Sequence, residues 1–232
     1  MFLTADRGKR RGVAKNASRS RRRFGGALEP LTRGRVEYRE REGRELVWLE
    51  RIELSRSPLA SIGHHGADES AHRFAHASYF AELIDEWAPD AQANERLFRL
   101  GAAVGEALTT GTSSTALARY FEYWLLRLEG LYPALETCPR CERATLADGA
   151  VLVAIDRLYV CDDCAVAGPR LSRDAVAFLK RAGSRTPAET AVERLGLQAQ
   201  RELEDVHHRL IAMHLEKELR SARVVRELGP ES

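Results

Sequence analysis

The sequence predicts an α+β protein in which a small N-terminal sheet or barrel of short strands precedes a mostly helical domain with an inserted four-cysteine module. Three observations predict this class. Apolar and polar residues alternate in short runs over the first 62 residues, helical periodicity dominates the rest, and two CxxC pairs interrupt it. With 44% hydrophobic and 30% charged residues in 232, the composition is that of a globular protein.

Short strands account for the first region. The alternation is clear over residues 35–39 and weaker over 46–54, and the segment 41–44 between them is typical of a hairpin turn. An apolar-basic run at 13–15 predicts a further short strand. Because a polar, Gly- and His-containing linker at 61–68 precedes the first helical periodicity, we expect domains at 1–65 and 66–232.

Helices are predicted after the linker from apolar residues that recur every three or four positions. Their expected ranges are about 74–88, 94–108, 114–129, 172–181 and 188–228. Ser114 or Thr115 is expected to cap the third helix and Ser172 the fourth. Arg119 and Glu122 stand three residues apart, which favours an ion pair on a helix surface.

Four cysteines form two pairs, Cys138 with Cys141 and Cys161 with Cys164, separated by nineteen residues. This spacing is typical of a tetrahedral Zn²⁺ bound by four thiolates, and β-like residues between the pairs predict a hairpin that brings them together. We expect a module over residues 136–168. Four sulfur ligands leave no position for water, so the zinc is expected to be structural rather than catalytic.

A basic segment, defined here as residues 7–23, carries nine of the 36 basic residues and no acid. It gives the first 23 residues a net charge of +8 in a chain of net charge +2. The candidate DNA-binding residues are Lys9, Arg10, Arg11, Lys15, Arg19, Arg21, Arg22 and Arg23. A nucleic-acid contact is favoured over a solvated charge run, and a membrane contact is disfavoured because the spacers lack large apolar residues. Phe24 fits either a base-stacking role or a core anchor.

Other classes are excluded or disfavoured. No stretch approaches about 18 apolar residues, so no transmembrane helix is predicted, and the first residues lack a secretory signal, which favours the cytoplasm. The chain has no phosphate-binding glycine loop, no Ser–His–Asp arrangement and no His-x-Glu of a zinc deaminase. We therefore expect a protein that is not an enzyme.

Three passages stand in a fixed order along the chain. They are the basic run over residues 3–30, Ala-Ser-Tyr-x-x-Glu-Leu at 77–83, and Phe-Glu-x-x-Leu-Leu followed by Gly-x-x-Pro-x-Leu-x-x-Cys over 121–138. Together they resemble the RecO family of DNA repair proteins. The family usually carries a further segment before Leu3, so either an assigned start that is too late or a short form is expected.

The resemblance implies an N-terminal OB-fold that binds DNA, a helical domain and an inserted zinc module. It also implies a recombination mediator of the RecF pathway that binds single- and double-stranded DNA (ssDNA and dsDNA) and anneals complementary strands. The implied partners are RecR and single-stranded DNA-binding protein (SSB), with RecA loaded onto the covered strand, all at the nucleoid in the cytoplasm. Two alternatives stay open: an RNA-binding zinc-ribbon protein and a protein-interaction adaptor.

Overall fold

The chain forms two compact units, Met1–Gly111 with Leu219–Gly229 and Thr112–Glu218. The structure is a computed structural model that describes residues 1–17, 20, 23–40, 43–60, 66–110, 114–143 and 148–229. The units are defined by packing, whereas the predicted domains at 1–65 and 66–232 were defined by sequence pattern and stay a prediction. The α+β class is confirmed, because an N-terminal sheet is followed by a mainly helical part that contains a second, smaller sheet.

The first unit begins with a four-stranded sheet in the order β1-β2-β4-β3. Its strands are β1 (Phe2–Thr4), β2 (Gly8–Val13), β3 (Arg33–Arg39) and β4 (Leu46–Arg56). β3 and β4 pair antiparallel as predicted, although the turn expected at 41–44 lies partly outside the described residues. Of the run at 13–15, Val13 alone lies in a strand: it ends β2, which pairs with β1 on one side and runs parallel to β4 on the other. Because an OB-fold is a five-stranded barrel, these four strands leave that assignment a prediction.

One face of this sheet forms a core. Val47 and Leu49 of β4 alternate inward and pack with Phe24, and Val36 and Tyr38 of β3 pack against them. Phe24 is 2% exposed, which identifies it as a core anchor rather than a base-stacking residue. The backbone N–H of Ile52 on β4 donates to the carbonyl of Arg23 at 2.9 Å, so the end of the basic segment is fixed to the sheet.

In the described part of the first unit, three helices follow or flank the sheet: α1 (Ala67–Trp87), α2 (Glu95–Thr110) and α7 (Arg220–Leu228). The predicted first and second helices are confirmed, and the Asn94 side chain caps α2 by accepting the N–H of Leu97 at 3.0 Å. The Glu82 carboxylate of α1 accepts the backbone N–H groups of Arg220 and Ser221 at 3.0 and 2.8 Å. Glu82 thereby caps α7 and fastens it to α1.

The second unit packs helices around a small sheet. Its elements are α3 (Ser114–Leu128), β5 (Gly149–Val153), β6 (Leu158–Val160), β7 (Arg170–Ser172), α4 (Arg173–Ala182), α5 (Pro187–Thr190) and α6 (Leu197–Leu215), with β5 between β6 and β7. α4 has the predicted cap, because the Ser172 side chain accepts the N–H of Ala175. Phe121, Tyr159 and Phe178 are fully buried in this unit.

The single helix predicted over 188–228 is wrong. It is three helices, α5, α6 and α7, because the backbone leaves the helical conformation at Gly196 and at Glu216, whose φ is 54°. The apolar spacing of three and four residues crosses both breaks and conceals them. Among the described residues, no helix has both the length and the apolar content that crossing a bilayer requires.

Candidate metal centre and nucleic-acid interface

The four cysteines converge on one point. The Sγ atoms of Cys138, Cys141, Cys161 and Cys164 all lie within 4.8 Å of one another. The Sγ atoms of Cys141 and Cys161 are 3.6 Å apart. Sulfurs arranged tetrahedrally at about 2.3 Å from an ion are about 3.8 Å apart, so the cluster has the size of a four-thiolate metal site.

The predicted hairpin positions the second cysteine pair. β5 and β6 are antiparallel, with Val153 opposite Leu158, and the turn closes with Arg157 in the left-handed region at a φ of 50°. Arg140 lies within the first CxxC pair and donates to the carbonyl of Cys164 at 2.9 Å. The two pairs are thus connected by protein hydrogen bonds as well as by the hairpin.

The environment of the sulfurs favours bound cations. Burial acts to raise the pKa of Cys138, but backbone N–H donors, the first of them from Cys161 at 3.4 Å, bring it down to about 6. Hydrogen bonds to Cys141 and Cys161 hold the proton of Cys164 and raise its pKa to about 12. Four clustered thiols cannot all ionise alone, and a soft divalent ion removes that repulsion.

Arg10, Arg11, Lys15 and Arg23 of the basic segment are at least partly exposed in the first unit. Arg11 is half-exposed, and its Nη2 lies 3.5 Å from Oδ1 of Asp85. Nη2 of Arg10 lies 3.5 Å from Oε1 of Glu40. Arg23 donates to the carbonyl of Lys15 at 2.9 Å, which brings these two basic residues together. Arg19, Arg21 and Arg22, which the sequence places around them, lie outside the described residues.

Lys9 differs from the rest of the set because it is buried. Its side chain is 7% exposed, and Nζ donates to the carbonyl of Asp85 at 2.7 Å while lying 3.4 Å from a carboxylate oxygen of each of Asp85 and Asp90. Gly8 permits this approach, since a Cβ there would lie 2.0 Å from the carbonyl oxygen of Gln92. Lys9 therefore serves as an internal cation between β2 and the end of α1.

A buried polar network in the second unit was missed by the sequence analysis. Arg119 and Glu122, expected on the surface, are 3% and 0% exposed, and Nη2 lies 3.1 Å from Oε1. His207 of α6, also fully buried, lies with Nδ1 2.9 Å from the second Glu122 oxygen, and its Nε2 is 3.0 Å from the Tyr132 hydroxyl. Spacing alone could reveal the first pair but not its burial or its partner 85 residues away.

Protonation within this network follows from its environment. Burial lowers the pKa of His207. This effect outweighs the opposing effect of Glu122, so the imidazole is neutral. Burial acts to raise the pKa of Glu122, but the Arg119 guanidinium and the hydrogen bond from His207 bring it below its ordinary value. We assign Nδ1–H as the donor to the carboxylate and Nε2 as the acceptor from Tyr132.

Two family models match the chain. The model described as "Recombination protein O N terminal" matches residues 1–58, and the one described as "Recombination protein O C terminal" matches residues 69–223. Together they span both the sheet and the four-cysteine module.

Curated relatives agree with the family models. A protein named "DNA repair protein RecO" from Anaeromyxobacter sp. (strain K) is 38% identical over 99% of this chain and 89% of its own length. The protein of the same name from Koribacter versatilis (strain Ellin345) is 40% identical over 68% of this chain and 65% of its own length. The protein of the same name from Geobacter metallireducens is 32% identical over 99% of this chain and 90% of its own length.

Proposed function

The chain belongs to the RecO family of DNA repair proteins and acts in recombinational repair; from this premise we propose that it is a non-enzymatic mediator that binds ssDNA and dsDNA and anneals complementary strands. The supporting observation is that the basic segment brings Arg23 against Lys15 and presents Arg11 as an exposed side chain of β2. The RNA-binding alternative has no support in the family matches.

Annealing by such a surface needs no nucleotide cofactor. Two complementary strands repel through their phosphates, and side chains such as Arg11, Lys15 and Arg23 can screen that repulsion while base pairing supplies the free energy. Phosphate contacts carry no base code, so binding should tolerate any sequence. RecR, SSB and the loading of RecA complete the proposal, with the protein acting at the nucleoid in the cytoplasm. An adaptor role through these protein partners is compatible with it.

We also propose that Cys138, Cys141, Cys161 and Cys164 hold a structural Zn²⁺. Four sulfur donors of this spacing suit zinc, and no fifth protein donor or open position is needed. The ion, when bound, supplies a cross-link between the CxxC pairs and no reaction chemistry. The four cysteines would hold the β5–β6 hairpin and α4 in a fixed arrangement.

The DNA-binding proposal predicts a strong dependence on salt. If about five cations contact phosphates, the plot of log affinity against log salt should have a slope near −4. Arg19/Arg21/Arg22→Ala should reduce the magnitude of this slope by about 2 to 3 and weaken binding more than tenfold at about 0.1 M salt. The measurement is strand annealing and binding across a salt series, with zinc analysis on the same preparations.

A charge-matched control is available in the second unit. Arg194/Arg201/Arg209→Ala removes the same charge from exposed positions and should leave the slope and the affinity nearly unchanged. Equal losses in both triple variants would contradict a localised interface, and undiminished binding by the basic-segment variant would contradict the proposal itself.

Lys9 and Arg11 provide a crossed test on one strand. Lys9→Met should lower the free energy of unfolding by about 1–3 kcal/mol, because it leaves the backbone carbonyl of Asp85 without its buried donor, while DNA affinity stays within about twofold. Arg11→Met, at a side chain that is 53% exposed, should cost less than about 1 kcal/mol but weaken DNA binding. Urea unfolding and DNA titration of both variants check this; loss of DNA affinity in a stable Lys9→Met protein would refute it.

A further inference from the structure

Trp48 lies on the face of the first-unit sheet that is turned away from the core. Its neighbours Val47 and Leu49 are 3% and 9% exposed and belong to the core cluster. Side chains alternate along a strand, so Trp48 points to the opposite face, where it is half-buried. Part of the Trp48 ring surface is therefore accessible to solvent, on a sheet whose strand β2 lies within the basic segment.

The surroundings of Trp48 combine aliphatic and cationic groups. Val13 of β2 and Arg39 of β3 are paired with Trp48 in the registers of the two neighbouring strands, so their side chains lie beside it on the same face. Lys15 holds its Nζ 5.8 Å from the centroid of the Trp48 ring. Val13 and Leu46 are 42% and 47% exposed. We call these five residues, Val13, Lys15, Arg39, Leu46 and Trp48, the Trp48 face.

We propose that an unpaired base of single-stranded DNA stacks on the Trp48 ring while Lys15 binds an adjacent phosphate; this rests on the proposed DNA binding. In the free protein the Lys15 ammonium lies over the ring by a cation–π contact. A base that takes this ring surface displaces the ammonium by a few ångströms, towards the phosphate that the same nucleotide brings with it. Aromatic rings beside cationic grooves bind single strands through this combination.

Charge favours a nucleic acid over an apolar protein segment as the occupant. The Trp48 face carries two cations and continues directly into the basic segment, and the carboxylate of Glu50 lies 2.5 Å from Nε of Arg39. In a duplex the base faces are stacked on each other, so a duplex can use the cations but not the ring. Stacking on Trp48 would therefore favour ssDNA over dsDNA.

The test compares Trp48→Leu and Trp48→Phe on dye-labelled single-stranded and duplex oligonucleotides of mixed sequence. Losing one stacked base should weaken ssDNA binding about tenfold in Trp48→Leu and leave dsDNA binding within about twofold. Trp48→Phe should retain most of the ssDNA affinity. Trp124→Phe is the matched control, since Trp124 is also half-buried, also has a guanidinium, that of Arg127, 5.5 Å from its ring centroid, and lies in the second unit.

Tryptophan fluorescence provides a second readout that survives if Trp48→Leu fails to fold. ssDNA should quench the fluorescence of the unmodified protein, and the quenching should vanish in Trp48→Phe but persist in Trp124→Phe. Quenching that persists in Trp48→Phe, or equal losses of ssDNA and dsDNA binding in a folded Trp48→Leu, would overturn the stacking proposal while DNA binding stands. If Trp48→Leu kept its ssDNA affinity but lost binding to a protein partner, the stacking proposal would be overturned in favour of a protein-docking face. Absence of DNA binding by the unmodified protein would instead overturn the proposed function.

Discussion

Replacing Cys138 by serine is expected to abolish metal binding and to lower the midpoint of thermal unfolding by roughly 10 °C or more. The Cys138 side chain is fully buried, and its sulfur accepts the backbone N–H of Cys161 at 3.4 Å. A hydroxyl is a poor ligand for a soft site, so three thiolates would remain without a complete tetrahedron. Because binding free energy of a structural ion is folding free energy, the loss of the ion and the loss of stability should coincide.

The exposed ligand Cys141 separates the metal contribution from the packing contribution. Cys141→Ser should also lose the ion, but without placing a hydroxyl in a buried site, so its midpoint should fall less than that of Cys138→Ser. A chelator added to the unmodified protein should reproduce the Cys141→Ser midpoint. Metal analysis by mass spectrometry and thermal unfolding are the measurements, and a metal-free Cys138→Ser protein as stable as the unmodified one would disprove a structural site.

DNA affinity is the functional control for these cysteine variants. The basic segment and the Trp48 face lie in the first unit, whereas all four cysteines lie in the second. At a temperature below the unfolding midpoint, Cys141→Ser should therefore retain binding of short oligonucleotides. Loss of that binding together with the metal would show that the module contributes to the DNA contact.

Features encoded locally in the sequence were predictable. The spacing of the cysteines and the β-like residues between them predicted both the hairpin and the sulfur cluster, because all the necessary contacts lie within about thirty residues. The cap of α4 was predictable for the same reason, since Ser172 bonds three residues ahead. Local chemistry decides such features before tertiary packing acts on them.

Features decided by distant contacts were not predictable. The separate helix α7 ends up on α1 because Glu82 caps it from 138 positions earlier in the chain. Lys9 looked like any other cation of the basic segment until the end of α1 placed two aspartates around it. In both cases the sequence shows the residue type but not the partner, and the partner determines whether a charge is surface or interior.

Glu122→Gln is expected to lower the free energy of unfolding by about 3–5 kcal/mol, the second large effect in this protein. The substitution keeps an acceptor for His207 but removes the charge opposite Arg119, which is 3% exposed. Among the described residues, Arg119 Nε and Nη1 have no hydrogen-bond partner, so the guanidinium depends on Glu122 for its compensation. Equilibrium unfolding in urea measures the loss.

An exposed pair on α6 provides the matched control. Arg209 and Asp205 are 3.0 Å apart, Nε to Oδ1, with side chains 54% and 51% exposed, and Asp205→Asn should cost less than about 1 kcal/mol. The double variant Arg119→Met/Glu122→Gln should recover most of the stability lost in Glu122→Gln, since it removes the uncompensated buried charge. Failure of this recovery would mean that the hydrogen bonds of Glu122, rather than its charge, carry the effect.

The same network determines how stability depends on pH. The pKa of His207 lies below its ordinary 6.5 and that of Glu122 below its ordinary 4.5, so on acidification the unfolded chain takes up protons that the folded chain does not. Stability should therefore fall as the pH drops below about 6.5, and more steeply below about 4.5. Glu122→Gln eliminates the contribution of the Glu122 carboxyl to this pH dependence. The stability of the variant relative to the unmodified protein should therefore improve towards low pH. A difference between the two proteins that is constant from neutral to acidic pH would contradict an ionised, buried Glu122, because only the charged carboxylate can lose its advantage by protonation.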